Sequence, residues 1–120
     1  MNLDECLTKI NSNRDQIEAP FVFCFWKDPD LYDDFKFVND KNDETLRNED
    51  AQFYFNLGKA LYNAGFRKFD NITVYNFLQN KPNIKETFNN YGGYREVENL
   101  KQLVNVENID AYFDKIAKLN

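Results

Sequence analysis

The stretch Asn48-Glu49-Asp50-Ala51-Gln52-Phe53-Tyr54-Phe55-Asn56-Leu57-Gly58-Lys59-Ala60-Leu61-Tyr62-Asn63-Ala64-Gly65-Phe66 decides the fold class. Phe53, Leu57, Ala60, Leu61 and Ala64 fall at i, i+4, i+7, i+8 and i+11, the spacing of one face of an α-helix. That spacing predicts a helix from about Asn48 to Ala64 with this face in the core. Gly65 is the expected left-handed residue after the helix, and Phe66 is placed to contact Leu61 across the stop. The next start is equally legible, with Asp70 positioned to cap and Phe69 and Val74 flanking it as a hydrophobic staple.

Working downstream, Val74, Phe77 and Leu78 continue an inward face until Lys81-Pro82 ends the helix. Pro82 suits the first turn of another, whose inward residues are Ile84, Phe88 and Tyr91. Gly92-Gly93 breaks the chain again. Two further helices follow, one carrying Tyr94, Val97, Leu100 and either Leu103 or Val104, the other Val106, Ile109, Phe113 and Ile116 behind an Asn105 cap. Upstream, Lys36 to Asn48 reads as a polar, acidic loop, with a candidate hinge at Asp40 to Asn48, and Asp30 to Phe35 as a turn or two of helix. Pro20 suits the start of a helix, and Phe21-Val22-Phe23-Cys24-Phe25-Trp26 is an unbroken apolar run that fits either a helix or a buried strand. Leu3, Leu7 and Ile10 predict a short first helix, closed by Asn11, Ser12 and Asn13. With no long alternation and no Asn-Gly or Asp-Gly hairpin turn, the expectation is all-α: a single compact bundle of about six to eight short helices. Residues 1–19 read as an N-terminal helix or extension and residues 20–120 as the bundle.

Composition narrows the function classes. The chain has 120 residues, the size of one domain, and 12 Phe, 7 Tyr and 1 Trp give it the apolar area to fold by itself. Neither a membrane span nor a leader peptide is recognisable, so a cytoplasmic protein with no membrane partner is expected. Cys6 and Cys24 are too few for a disulfide scaffold, and with no histidine they are too few for a zinc site. The missing imidazole also removes the commonest general base. Asp28 to Asp50 carries a net charge of −6 and the rest of the chain +1. A phosphate backbone is repelled by the first and finds no basic stripe in the second, so strong direct nucleic-acid binding is not expected. The acidic stretch itself reads as a solvated loop or as a docking patch for a basic partner.

The sequence offers no recognisable catalytic, cofactor-binding or metal-binding residue. Gly58, Gly65, Gly92 and Gly93 form neither a GxxxxGK[ST] loop nor a GxGxxG turn. Asp33-Asp34 and Asp43-Glu44 are sequence neighbours whose side chains diverge, and the acids of Asp28 to Glu49 lack the spacing of a calcium loop. Tyr54, Phe55 and Tyr62 project from other sides of the central helix than its predicted core face. Without interleaved Arg or Lys they do not suit base stacking, which leaves a wide core or a protein interface. Together with Tyr112, Phe113 and Ile116 in the last helix they are the interface candidates.

Val22-Phe23-Cys24-Phe25-Trp26-Lys27-Asp28-Pro29-Asp30-Leu31, with the punctuating motifs that follow it in order, resembles the N-terminal domain of DnaB-type replicative helicases, the run itself being similar to that family's first helix and Asp-Pro turn. Phe69-Asp70-Asn71-Ile72-Thr73-Val74 resembles its apolar-Asp-x-x-Thr-Val helix start, which marks Asp70 and Thr73 as structural residues. Gly92-Gly93-Tyr94 with Leu100 resembles its double glycine, and Asn108-Ile109-Asp110-Ala111-Tyr112 with Ile116 its Asn-Ile-x-x-Tyr-x-x-x-Ile ending. The likeness spans roughly Pro20 to Leu119 in matching order. It implies a non-catalytic assembly and docking domain that forms dimers or a collar ring and contacts primase or a helicase loader. It also implies a linker and motor beyond Asn120, where ATP and Mg would bind, and places the chain in a bacterial or phage-infected cytoplasm. The chain departs from the family in lacking a His before the central helix, at Leu46-Arg47-Asn48-Glu49-Asp50, and in the acidity there. High Asn and aromatic content suggests a divergent, phage-encoded version.

Two other readings stay open. One is a stand-alone or primase-type helicase-binding module, whose fold the helicase domain resembles; the other is a small enzyme using carboxylates of Asp28 to Asp50.

Overall fold

The apolar run whose conformation spacing leaves open, residues 21–26, is helical. The structure, a computed structural model, describes residues 16–35 and 45–119. Residues 16–27 form helix α1, and the six side chains of its apolar run are each at most 1% exposed. A helix that is apolar on every side must be enclosed by its neighbours. Phe25 meets Tyr32, Phe55 and Phe35 at ring-centroid distances of 4.7, 5.3 and 5.7 Å. Phe21 packs on Phe113 at 5.6 Å, while Phe23 lies against Tyr54 at 5.0 Å and Trp26 against Phe69 at 5.3 Å. The other helices are thus laid around α1, and the fold is all-α; no strand occurs among the described residues.

Pro20 does not open this helix, because residues 16–19 are already helical. An interior proline costs about 3 kcal/mol or more through its missing N–H, a penalty the burial of six consecutive apolar side chains outweighs. The division drawn at residues 19 and 20 therefore falls inside α1. Glu18, on its first described turn, is fully buried and belongs to the bundle. Its Oε1 accepts from the backbone N–H groups of Arg47 at 2.9 Å and Asn48 at 3.0 Å, tying α1 to the segment that leads into the central helix.

An Asp28-Pro29 turn, closed by the N–H of Leu31 donating to the Asp28 carbonyl at 3.1 Å, leads to α2 (Leu31–Asp34). The central helix α3 (Glu49–Asn63) is capped by the Asn48 side chain, which accepts from the Ala51 N–H at 3.1 Å. It ends in a Schellman motif: Phe66 N–H donates to the Leu61 carbonyl at 3.1 Å, Gly65 N–H to that of Tyr62 at 3.0 Å, and Gly65 takes a φ of 102°. Helix α4 (Asn71–Leu78) begins at Asp70, whose carboxylate accepts from the Thr73 N–H at 2.8 Å, with Phe69 and Val74 both buried beside it. Helix α5 (Pro82–Asn90) carries its proline in the first turn, and α6 (Gly93–Gln102) follows the two glycines. Asn105 caps a 3-10 turn (Val106–Asn108) that runs into α7 (Ile109–Leu119).

The interior departs from the periodic expectation chiefly in α3. Ala51, Tyr54, Phe55, Leu57, Gly58 and Leu61 are its buried residues, whereas Phe53 is half-buried and Ala60 and Ala64 are exposed. The helix is turned so that two aromatic rings enter the core in place of two methyl groups. Each such ring removes roughly 150–250 Å² from water. Ile84, expected to face inward, is exposed at 39%, and of the two alternatives at the end of α6 Val104 is the buried one while Leu103 is 78% exposed. Leu46, read as loop, is fully buried, and its carbonyl accepts from Gln52 Nε2. The expected helix at Leu3 to Ile10, its cap, Cys6 and most of the Lys36 to Asn48 loop with its hinge lie outside the described residues. Among the described residues no helix is long and apolar enough to cross a membrane.

Candidate functional site

The buried face of α3 presents two different environments. At Gly58 the helix is approached so closely that an added Cβ would collide with the Tyr32 hydroxyl and lie 3.2 Å from Trp26 Nε1. The bare backbone lets Tyr32 donate to the Phe55 carbonyl at 2.8 Å and Trp26 to the Tyr54 carbonyl at 3.0 Å. Burial holds the Tyr32 hydroxyl well above the usual tyrosine range, so it stays a donor.

One turn towards the helix start, Tyr54 is 4% exposed, yet its hydroxyl finds no hydrogen-bond partner among the described residues. It borders a cavity of about 130 Å³ between α1, α3 and α6, whose polar walls also include Asp50, Tyr91 and Glu96. Ala19, Phe23, Ala51 and Leu100 supply the apolar walls. Burial raises the Tyr54 pKa, and the nearby Glu96, Asp50 and Tyr91 raise it further. Tyr91 is shifted up as well, first by burial and then by the neighbouring Asp50 carboxylate. The site is therefore an acidic pocket with aromatic sides and one uncommitted hydroxyl. Among the described residues no three His, Cys, Asp or Glu side chains gather where a metal ion could be held.

The interface candidates fall into different environments. Tyr54, Phe55 and Ile116 are core residues, and Phe113 is half-buried between Phe21 at 5.6 Å and Phe35 at 6.1 Å. The half-buried Tyr112 accepts through its hydroxyl from the Asn105 N–H at 3.3 Å. Tyr62 donates to Asp33 at 2.5 Å, and that bond is the main reason its hydroxyl is shifted upward. The Arg67 guanidinium covers the Tyr62 ring at 3.8 Å and pairs with Asp30 at 3.8 Å. Two acids of the charged stretch thus have partners within the chain. Asp70 and Thr73 close the start of α4, and Gly92 and Gly93 adopt φ of 115° and 67° before α6. Asn108 closes the 3-10 turn by donating its N–H to the Asn105 carbonyl at 2.9 Å.

Sequence reasoning overlooked Glu18, Asp50 and Glu96 as individuals. Of the three, only Glu18 carries a signal in the sequence, as the one acid on a helix whose residues 21–26 are all apolar. Asp50 and Glu96 are far apart in the chain and look like ordinary first-turn acids. A second feature, an apolar groove of about 230 Å³, runs along α3 to α5 between Phe53, Leu57, Ala60, Phe77 and Ile84. No protein-family model matches the chain, and no curated protein and no solved structure matches it.

Proposed function

We propose that this chain is a non-catalytic assembly and protein-docking domain of the kind found at the N-terminus of DnaB-type replicative helicases. The reading is supported by where the resembling motifs fall in the chain. Asp28-Pro29 separates α1 from α2, Asp70 and Thr73 start α4, Gly92-Gly93 precede α6, and Asn108-Ile109 lead into α7. In this reading the domain associates with copies of itself and contacts primase or a helicase loader. Its apolar contact face is the groove of Phe77, Ile84 and Ala60, since the aromatic residues of α7 are spent on the core. ATP and Mg would be bound by a separate motor, not by this bundle.

Light scattering across a wide concentration range tests the proposal. Reversible association, weakened by Ile84→Glu, is the expected outcome; a strict monomer up to high concentration would remove the assembly role. Capture by a helicase in preference to a primase would instead favour the helicase-binding module.

A further inference from the structure

We propose that the cavity between α1, α3 and α6 binds a primary alkylammonium ion, its charged head held by Asp50, Glu96 and the Tyr54 hydroxyl and its methylene stem by Phe23, Ala51 and Leu100. This inference is independent of the helicase reading.

The chemistry of the walls selects the ligand. An ammonium head offers three N–H donors and no acceptor. The cavity offers two carboxylates and a buried phenol oxygen with no partner among the described residues. Leaving a polar group buried and unpaired costs about 1–3 kcal/mol, so an incoming donor at Tyr54 relieves a penalty already present in the fold. Phe23, Tyr54 and Tyr91 line the same space, and aromatic rings attract a cation that reaches their faces. Beside the larger effect of burial, Glu96 and Asp50 both raise the Tyr54 pKa and Asp50 raises that of Tyr91.

Charge favours a monocation. Asp50 stands in the first turn of α3 and Glu96 in that of α6. Each helix start contributes roughly half a positive charge, so two carboxylates and two helix starts leave about one negative charge to neutralise. Among the described residues a divalent metal would find too few ligands. Size points the same way: 130 Å³ is well below the roughly 300–1,000 Å³ of a site for a drug-sized molecule, but admits a short stem with a charged tip. Such a group can come from a lysine side chain on another protein or from a free small amine.

The test titrates the intact chain with n-butylammonium chloride and follows backbone amide shifts by NMR, against sodium chloride at matched ionic strength. Saturable shifts at Ala51 and Leu100 are expected, in the millimolar range. Glu96→Gln should weaken binding about tenfold, the effect of losing one charged hydrogen bond. Tyr54→Phe should weaken it several-fold without lowering the melting temperature, and it guards against any disturbance of α6 by the first variant. A blocked Gly-Lys-Gly peptide forms the second arm. Saturation by the peptide identifies a protein lysine as the source, whereas saturation by butylammonium alone identifies a small amine. Shifts that follow sodium chloride, or that persist unchanged in both variants, would overturn the proposal.

Discussion

Around Gly58, Tyr32 and Trp26 press against the backbone of α3 and both of their polar atoms are satisfied. One turn earlier on the same buried face, Tyr54 is packed as tightly by rings but ends in an acidic cavity with its hydroxyl uncommitted. Both regions bury aromatic surface against α1, so the apolar contribution is alike. They differ in the polar atom. In the first region each donor has a carbonyl prepared for it, which makes the contact a stability element; in the second the donor site has been left open, which makes it a binding element. Comparing the two teaches that a buried tyrosine cannot be assigned a role from its burial alone.

The comparison is broken most severely by Gly58→Ala. Helix propensity by itself would stabilise the protein by about 1 kcal/mol. The added Cβ displaces the Tyr32 hydroxyl and crowds Trp26, so a net loss of about 3 kcal/mol is expected in urea denaturation. A gain in stability would show that the close approach carries no weight.

Alkaline pH should give the next largest effect. Burial pushes the Cys24 thiol from 9.0 up to about 11, against a smaller opposing pull from Lys27. The Tyr32 and Tyr54 hydroxyls are also raised, from an ordinary value of 10.0. In each case the folded state keeps a proton that the unfolded chain releases. Stability is therefore full below about pH 9 and declines as pH rises, first through the thiol and above pH 10 through the tyrosines. Denaturation midpoints collected from pH 8 to 11 check this, and a flat profile would contradict it.

Tyr32→Phe is smaller, a loss of about 1 kcal/mol as the Phe55 carbonyl is deprived of its donor. Tyr54→Phe is the smallest: it deletes an oxygen that has no partner among the described residues, so calorimetry should find the melting temperature unchanged or slightly raised. Equal losses in the two phenylalanine variants would erase the distinction between the regions.

Much of the helical layout was legible because helix ends are written in local chemistry. Asn48, Asp70 and Asn105 each offer a side-chain oxygen to a backbone N–H two or three residues ahead. Gly65 and Gly92 stop helices by adopting positive φ, and Pro82 opens one where its missing N–H does no harm. Those choices depend on a few consecutive residues, which a reader of the sequence can see. The core face of α3 was not legible in the same way. Its periodicity supports two overlapping stripes, and the one with better spacing, Phe53 to Ala64, is not the one that is buried. The groups that decide between them, Trp26 and Tyr32, come from α1 and α2, more than twenty residues away.

The amino-acid sequence by itself determined the all-α class and the positions at which most helices from α3 onward start and stop, because capping is settled within a single turn of backbone. Only the tertiary structure decided that the apolar run of α1 is a helix enclosed on all sides, since strand and helix cannot be told apart in six apolar residues without their neighbours. It also decided which side of α3 faces inward, through a glycine that gains meaning only when a tyrosine arrives. The acidic cavity belongs to the same class of fact: Asp50, Tyr54 and Glu96 become one site only when α3 and α6 pack against α1.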